Sequence, residues 1–573
     1  MKALTIIGFG PRGLYALERL VYHLAMRKQE INILVFESKT ELGTGAAWNK
    51  DQPNSNLINI TERALVDLPS RPKIVYRNTI IPQFPSYHQW CEFSQNELEP
   101  DTFPPRKKVG KYLSERANSI IDVLKSKSGF ELFKTSIKSI DLENNKLALS
   151  SDNKVWKVDD VLLSIGHQST KNSEQLNEWI EHSKSNTEIK VYENTYPVSL
   201  FKDIKNQTNI SIGIRGFGLS LIDVMRYLTI NDFGNFKITD DQTFETLYYK
   251  VKDQQLQIVP FSLDGLPLVP KPLNEHIDNW YKPTDEELEY FKTSITSVAQ
   301  TSKNFNTIDF LIKPIAEISS RVFLDLGDKA VSHNYEKKEI ESVVLNWLQN
   351  KDHQHPTLQN NNISTYNLIK SYIEMALGET KITLDYCVGQ VWRHCQPTLY
   401  DAFSYANLKP EIIEDVIAQD EQSKRYSYGP PIESMQQLLA LVDAGILNLN
   451  FVNNPDIELE NHGWRLTNES QDRKNVNIMI NSVLDSPKLL EVNSPLVTNL
   501  LQHDLISPIH SKLGIETDEN AYVETENKKN KVNIAVLGRL AKGSVIGVDA
   551  ILECFGSRID NWAKAYSEKV SES

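Results

Sequence analysis

A glycine-rich turn set between a buried strand and an amphipathic helix occurs twice in this chain. Ala3–Ile7 read as the first strand, Gly8-Phe9-Gly10-Pro11-Arg12-Gly13 as the turn, and Leu14 to Met26 as the helix. In a G-x-G-x-x-G turn the first glycine permits the tight bend and the second lets a pyrophosphate approach the backbone. The third lets the helix pack against the strand, and the helix N-terminus attracts the phosphate charge. A second β-branched strand spans 31–36, and Glu37 closes it, 29 residues after Gly8, where an acid suits a ribose hydroxyl pair. This is a βαβ unit built for a dinucleotide.

The pattern returns 208 residues later, with a strand over Ile210–Ile214, the turn Gly216-Phe217-Gly218, and a helix over Leu219–Leu228. Here Leu221 occupies the third glycine position, so the match is degenerate, with Ser220 beside it. Residues 256–261 form a later strand of this unit, and Ser262-Leu263-Asp264 follow it where a ribose-reading residue sits. Asp264 repels a 2′-phosphate and accepts from a free ribose, which favours NADH over NADPH. It reads equally well as a turn residue before Gly265 that faces water. A third strand-and-turn, Val532–Leu537 followed by Gly538, Arg539, Gly543 and Ser544, is expected to lead into a helix over Ile546–Phe555. Flavoproteins with two dinucleotide units put FAD on the first and a nicotinamide cofactor on the second, and return to the first near the chain end. There the helix dipole would stabilise negative charge on the reduced ring.

At 573 residues the chain exceeds one hydrophobic core. With a formal charge of −13 it has no global field for nucleic acid or anionic lipid. No apolar stretch approaches the length of a membrane span, and the N-terminus reads as a strand rather than a signal peptide, so a cytoplasmic protein is expected. Cys91, Cys387, Cys395 and Cys554 lack the spacing of a zinc site or a disulfide framework. No metal is expected at the His353 and His355 pair either. Helices are expected over Asp285–Ala299, Lys337–Gln349, Tyr366–Leu377, Glu411–Ala418 and Ile432–Ala444, and a polar connector over 168–189. Arg393-His394-Cys395 has no third orienting group for a nucleophile, so it reads as a helix face or a substrate pocket, in which Arg393 and His394 would be an anion-binding pair.

Several of these segments resemble the bacterial FAD-NAD(P)-binding proteins that open on GxGPRG, distantly similar to N-hydroxylating flavin monooxygenases. The resemblance rests on Ile7–Gly13; on Leu42–Trp48 with Asn56–Asn59; and on Pro105-Arg106 with Gly110–Leu113. It continues through Ser164-Ile165-Gly166-His167, Tyr428-Gly429-Pro430-Pro431, Leu441–Gly445, and Gly538-Arg539 with Gly543-Ser544. It implies an FAD site that includes Gly8, Gly10, Pro11, Arg12, Gly13, Glu37, Trp48, Asn59, Arg106, Gly166, His167, Gly538, Arg539, Gly543 and Ser544. A nicotinamide site would use Gly216, Gly218, Ser220 and Asp264. The family commonly has an arginine where this chain has Leu263-Asp264, which again bears on NADPH.

The expected architecture is α/β: two Rossmann-like dinucleotide-binding units with a helical insertion. FAD-binding segments are expected at 1–170 and 511–573, an NAD(P)-binding-like domain at 190–272 and 451–510, and the insertion, a possible substrate domain, at 273–450. Two such units argue for hydride transfer from nicotinamide to flavin. The resemblance implies an NAD(P)H-using monooxygenase acting on a small polar amine or amino acid through a flavin C4a-hydroperoxide. A flavin reductase or dehydrogenase and a non-catalytic FAD-binding sensor or scaffold remain as alternatives.

Overall fold

The computed structural model describes residues 1–571 apart from 185, 208, 252–254, 302–304, 485 and 526–531. Two separate parallel sheets organise the chain. The first has five strands in the order Ile534–Val536, Asp160–Leu163, Ala3–Ile7, Asn32–Phe36, Phe130–Phe133. All its pairings are parallel. Asp160–Leu163 and Ile534–Val536 are buried along their whole length, as expected of strands covered on both faces. The C-terminal return is thus a strand added to the N-terminal sheet. Its last helix, Ser557–Ser571, packs on Pro11–Met26, with Arg19 to Asp560 at 2.6 Å and Arg27 to Glu568 at 2.6 Å across the seam.

The second sheet has the order Lys190–Tyr192, Ile478–Asn481, Ile210–Arg215, Leu256–Phe261, again parallel throughout. Among the described residues, seven longer helices run between its last two strands in sequence: Asp285–Ala299, Asp309–Asp325, Lys337–Gln349, Thr365–Leu377, Leu384–Phe403, Pro410–Ser427 and Ile432–Asp443. Their buried faces form one continuous apolar core with the second sheet. No helix among the described residues is long and apolar enough to cross a membrane. Fold class is therefore α/β with two Rossmann-like units and a helical insertion.

Three local expectations need correction. Residues 168–189 are not a plain connector: Glu174–Ser183 is a helix, capped by Ser173 Oγ accepting from Leu176 N at 3.3 Å and anchored by buried Trp179. The helix expected over Ile546–Phe555 does not form; only a single 3-10 turn, Leu552–Cys554, lies there. Gly547 holds φ +71 with the Tyr400 ring where a side chain would begin, so the segment is an irregular strap and no helix dipole is available from it. Glu411–Ala418 extends to Pro410–Ser427.

Candidate active site

Each glycine of the first turn has a distinct steric reason. Gly8 adopts φ +88, and a Cβ there would lie 2.6 Å from the Ser164 carbonyl oxygen of the neighbouring strand end. At Gly13 a Cβ would meet the Gly8 carbonyl oxygen at 2.3 Å, so the helix closes directly on the turn. Gly10 faces Gly45, with 3.4 Å from its Cβ position to Gly45 Cα, leaving a cradle bounded by backbone alone. The Pro11–Met26 helix has Gly10 at its N-cap, no side-chain cap and no acid in its first turn. Its leading N–H groups are thus left for an anion. Glu37 Oε2 accepts from Phe9 N at 2.8 Å and Oε1 from Lys39 N at 2.9 Å, which fixes the carboxylate at the strand end.

Around this turn lies a cavity of about 550 Å³, lined among others by Gly10, Arg12, Glu37, Trp48, Gly166 and His167. Gly166 has φ +68 with open space where its Cβ would be. Arg12 Nη2 donates to Val548 O at 2.5 Å, and its side chain crosses Gly538, which has φ +101 and no room for a Cβ. Arg539 Nη1 lies 3.1 Å from His167 Nδ1, so the C-terminal turn meets the Gly166-His167 strand end. Gly543 and Ser544 stand apart from both cavities. Ser544 is buried, its Oγ accepting from Thr517 N at 2.9 Å and donating to Ile515 O at 3.2 Å.

A larger cavity of about 920 Å³ adjoins the first; Ala47, Trp48, Arg539, Asp549, Ala550 and Ile551 line both. The second glycine turn opens onto it. Gly216, at φ +117, packs on Ser482 Oγ, Gly218 has nothing within 4 Å of its Cβ position, and Leu219 and Ser220 line the cavity. Leu221, in the third glycine position, is buried in the apolar core. Arg106 lines this cavity with Trp48 and Asn59, pairs with Asp223 of the Leu219–Thr229 helix at 2.9 Å and stacks on Tyr196. Burial opposes the Arg106 charge, but Asp223 and Tyr196 together outweigh it and raise the guanidinium above its usual value. Asp264 is exposed and lies in neither cavity. Its Oδ1 accepts from Leu266 N at 3.1 Å and Ser262 Oγ at 3.3 Å, closing a turn just past the strand beside Ile210–Arg215.

Arg393 and His394 do line the large cavity, but both turn onto Asp278: Arg393 is ion-paired with it and His394 Nε2 lies 3.1 Å away. Arg63 reaches Asp278 at 2.6 Å and Asp101 at 2.8 Å. Burial would raise the Asp278 carboxyl; Arg393, His394 and Arg63 together hold it well below the usual range. Burial and the adjacent Arg393 push His394 down, which favours the neutral ring. The anion-binding pair expected from sequence is therefore one guanidinium already shared with a carboxylate.

Residues 5–168 match the family described as FAD-NAD(P)-binding. The match spans the first four strands of the N-terminal sheet. The chain is also 25% identical over 244 residues to a nitrosuccinic acid synthase of Aspergillus oryzae; the match covers 41% of this chain and 36%, about a third, of that relative. Among solved structures it is similar to an ornithine hydroxylase from Pseudomonas aeruginosa, at 10% identity and TM-score 0.47, covering 99% of each chain. It is likewise similar to an L-lysine 6-monooxygenase from Pseudomonas syringae, at 14% identity and TM-score 0.44, over 100% of each. The donor set suits the cofactor of the FAD-NAD(P)-binding domain: a backbone cradle, an uncapped helix end and an acid at the second strand.

Sequence reading missed two further residues that line the cavity beside this domain. Lys271 is buried, and its Nζ donates to Asn59 O at 2.6 Å and Gly429 O at 2.7 Å. Burial pushes it well below its usual value, followed by the repulsion of Arg393. The Tyr428–Pro431 segment gave the available signal, since a Cβ on Gly429 would lie 1.8 Å from Val269 O. That glycine lets the 269–271 backbone pass close enough to set Lys271 in place. Glu553 follows the strap at 546–552; burial raises its carboxyl, and its Oε2 is buried with no hydrogen-bond partner.

Proposed function

We propose that the chain is an FAD-dependent, NAD(P)H-using monooxygenase that oxygenates the nitrogen of a small polar amine or amino acid. One observation carries the reading. The head of the second dinucleotide turn, at Leu219 and Ser220, faces the same cavity as the flavin-segment residues Trp48 and Asn59 and the basic residues Arg63, Lys271 and Arg393. That cavity adjoins the one around the cradle at Gly10. FAD, when bound, supplies the redox chemistry, accepting hydride and activating oxygen.

In this reading the Gly10–Gly45 cradle and the Pro11–Met26 helix end take the pyrophosphate, and Glu37 takes the adenosine ribose. Gly216–Gly218 would hold the nicotinamide nucleotide, with Ser220 at the edge of the cavity beside it. Asp264, in the turn just past the neighbouring strand, favours NADH. The helical insertion acts as the substrate domain: the helix bearing Arg393 and the segment bearing Lys271 close the cavity and exclude water. The fungal relative is named for nitrosuccinic acid, a dicarboxylic acid carrying an oxidised nitrogen, which is consistent with an amino-acid nitrogen as the oxygenated atom. The cytoplasm, where NAD(P)H is at hand, is the proposed compartment.

Stopped-flow reduction of the bound flavin by NADH and NADPH, followed by reoxidation in air with a panel of amines and amino acids, tests the reading. Substrate-stimulated coenzyme oxidation with an N-oxygenated product is the expected result. Reduction without such a product would identify a reductase, and absence of reduction a scaffold.

A further inference from the structure

The acids on the wall of the large cavity differ in what they already hold. Asp101 and Asp278 are paired with Arg63, Asp278 also with Arg393, and Glu421 and Asp549 with Lys424 and Lys542. Asp67 and Asp401 are exposed to water. Glu553 fits neither group. Among the described residues it forms no ion pair, and its Oε2 is buried with no hydrogen-bond partner. It stands where the two cavities meet: Ala550 and Ile551, just before the Leu552–Cys554 turn, line both, and Cys554 lines the one around the Gly10 cradle. Titratable groups reach it from several elements. Arg12 comes from the Pro11–Met26 helix, Arg558 from Ser557–Ser571, Tyr400 from Leu384–Phe403, and Tyr428 from the end of Pro410–Ser427, with Cys554 in its own turn. Burial raises both phenols and the thiol, which keeps them neutral, and it raises the Glu553 carboxyl against the pull of Arg12 and Arg558.

We propose that Glu553 binds the ammonium group of the substrate where the cavities meet and takes its proton, so that the nitrogen is a neutral amine when it is oxygenated. The inference deepens the amine-oxygenase reading above and rests on it. An ammonium nitrogen has no lone pair to give, and with an ordinary value of about 10 roughly one amine in a thousand is free at neutral pH. In the step, one ammonium N–H bond breaks, its electron pair stays on nitrogen, and the proton forms an O–H bond at Oε2. No oxidant or reductant takes part. The other buried acids are poorer acceptors. Their cations hold Asp278, Glu421 and Asp549 below the usual range, and both Asp101 oxygens accept from Arg63 Nε, at 2.8 and 3.1 Å. A raised carboxyl is the stronger base, and the neutral amine and carboxylic acid left behind cost less to bury than the two ions.

The first test needs no turnover. In FAD-loaded, oxidised protein, infrared spectra of the native chain minus those of Glu553→Gln give the pH at which this carboxyl titrates without ligand. L-aspartate, L-lysine and ethanolamine then serve as an acidic, a basic and a neutral ammonium probe. Above that pH, a probe that binds should restore the protonated-carboxyl band in the native protein and not in Glu553→Gln. In turnover, Glu553→Gln should lower formation of N-oxygenated product by about a hundredfold at neutral pH. The deficit should close as the pH nears about 10, where solvent supplies the free amine. Glu553→Asp, which keeps a base on a shorter side chain, should recover part of it. A bound probe that leaves the carboxyl ionised, or a native yield and pH profile in Glu553→Gln, overturns the proton transfer. Failure of all three probes to bind overturns the site. A restored band with no N-oxygenated product from the native protein would instead remove the oxygenase reading and leave Glu553 as an ammonium site.

Discussion

Gly10 is the residue on which cofactor retention turns. Its Cβ position is 3.4 Å from Gly45 Cα, so the γ-methyls of Gly10→Val must either strike that backbone or project into the cradle. The variant should fold and yet be colourless, as judged by flavin absorbance per mole and by its melting temperature; full stoichiometric FAD on Gly10→Val would remove the assignment. Asp264 is expected to act by charge rather than by contact. Asp264→Arg should improve reduction by NADPH relative to NADH by about tenfold, the equivalent of 1.4 kcal/mol. Faster reduction by NADPH in the native protein, unaltered by the substitution, would show that this carboxylate does not read the ribose. Asp278 governs acid stability. Its carboxyl is held well below the ordinary value, so in the window beneath about 3.9 the unfolded chain binds a proton that the native chain refuses. The stabilisation is complete above that window and is lost as pH falls through the folded value. Asp278→Asn leaves the Arg63 and Arg393 guanidinium groups short of a carboxylate and should cost about 3–5 kcal/mol near neutrality. Urea titrations at neutral and acid pH should show a lower midpoint and a flatter acid limb than in the native protein.

Elements were legible where periodicity and caps agreed. Asp285–Ala299 begins with a capping box formed by Thr284 and Glu287 and was readable to the residue. Asp309–Asp325 and Leu384–Phe403 were not, because each carries a proline inside, Pro314 and Pro397, and local propensity argues against a helix there. Tertiary packing overrides that preference. Leu384–Phe403 holds Trp392, Leu399 and Phe403 in the main core, and its Gly389 admits the side chain of Tyr426 from Pro410–Ser427. A Cβ on Gly389 would lie 2.4 Å from Tyr426 Cβ. Gly389→Ala should therefore push these two helices apart and destabilise the protein by about 1–3 kcal/mol, the usual cost of overpacking a core. Arg393 lies one turn along the same helix, so the shift should also weaken substrate saturation while leaving the FAD content intact. A Gly389→Ala protein with native urea midpoint would mean that the helices give way freely.

At the scale of the whole chain, the N-terminal sheet is completed only by residues some 370 positions beyond the strand they pair with. The recurrence of the glycine turns and the Gly538-Arg539 resemblance pointed to this closure. Its physical form was not readable, since a three-residue strand, Ile534–Val536, gives almost no periodic signal, and Lys271 reaches the cavity from a segment with no motif of its own. The C-terminal segment contributes an edge strand on Asp160–Leu163, the helix that covers Pro11–Met26, and Arg539 and Asp549 at the junction of the two cavities. Desolvation opposes the Asp549 charge, yet Lys424, Lys542 and Arg539 hold its carboxyl far below the usual range, so the segment is also tied electrostatically to the helical insertion. A chain ending at residue 531 should consequently lose FAD altogether and expose the apolar edge of Asp160–Leu163, a surface prone to association. The second sheet shares its core with the insertion and takes no strand from the C-terminal segment, so it should survive the truncation. Limited proteolysis of the truncated chain should then leave a resistant fragment covering roughly 190–480 and digest the first 170 residues. Equal resistance of both halves would show that the N-terminal sheet closes without its distant strand.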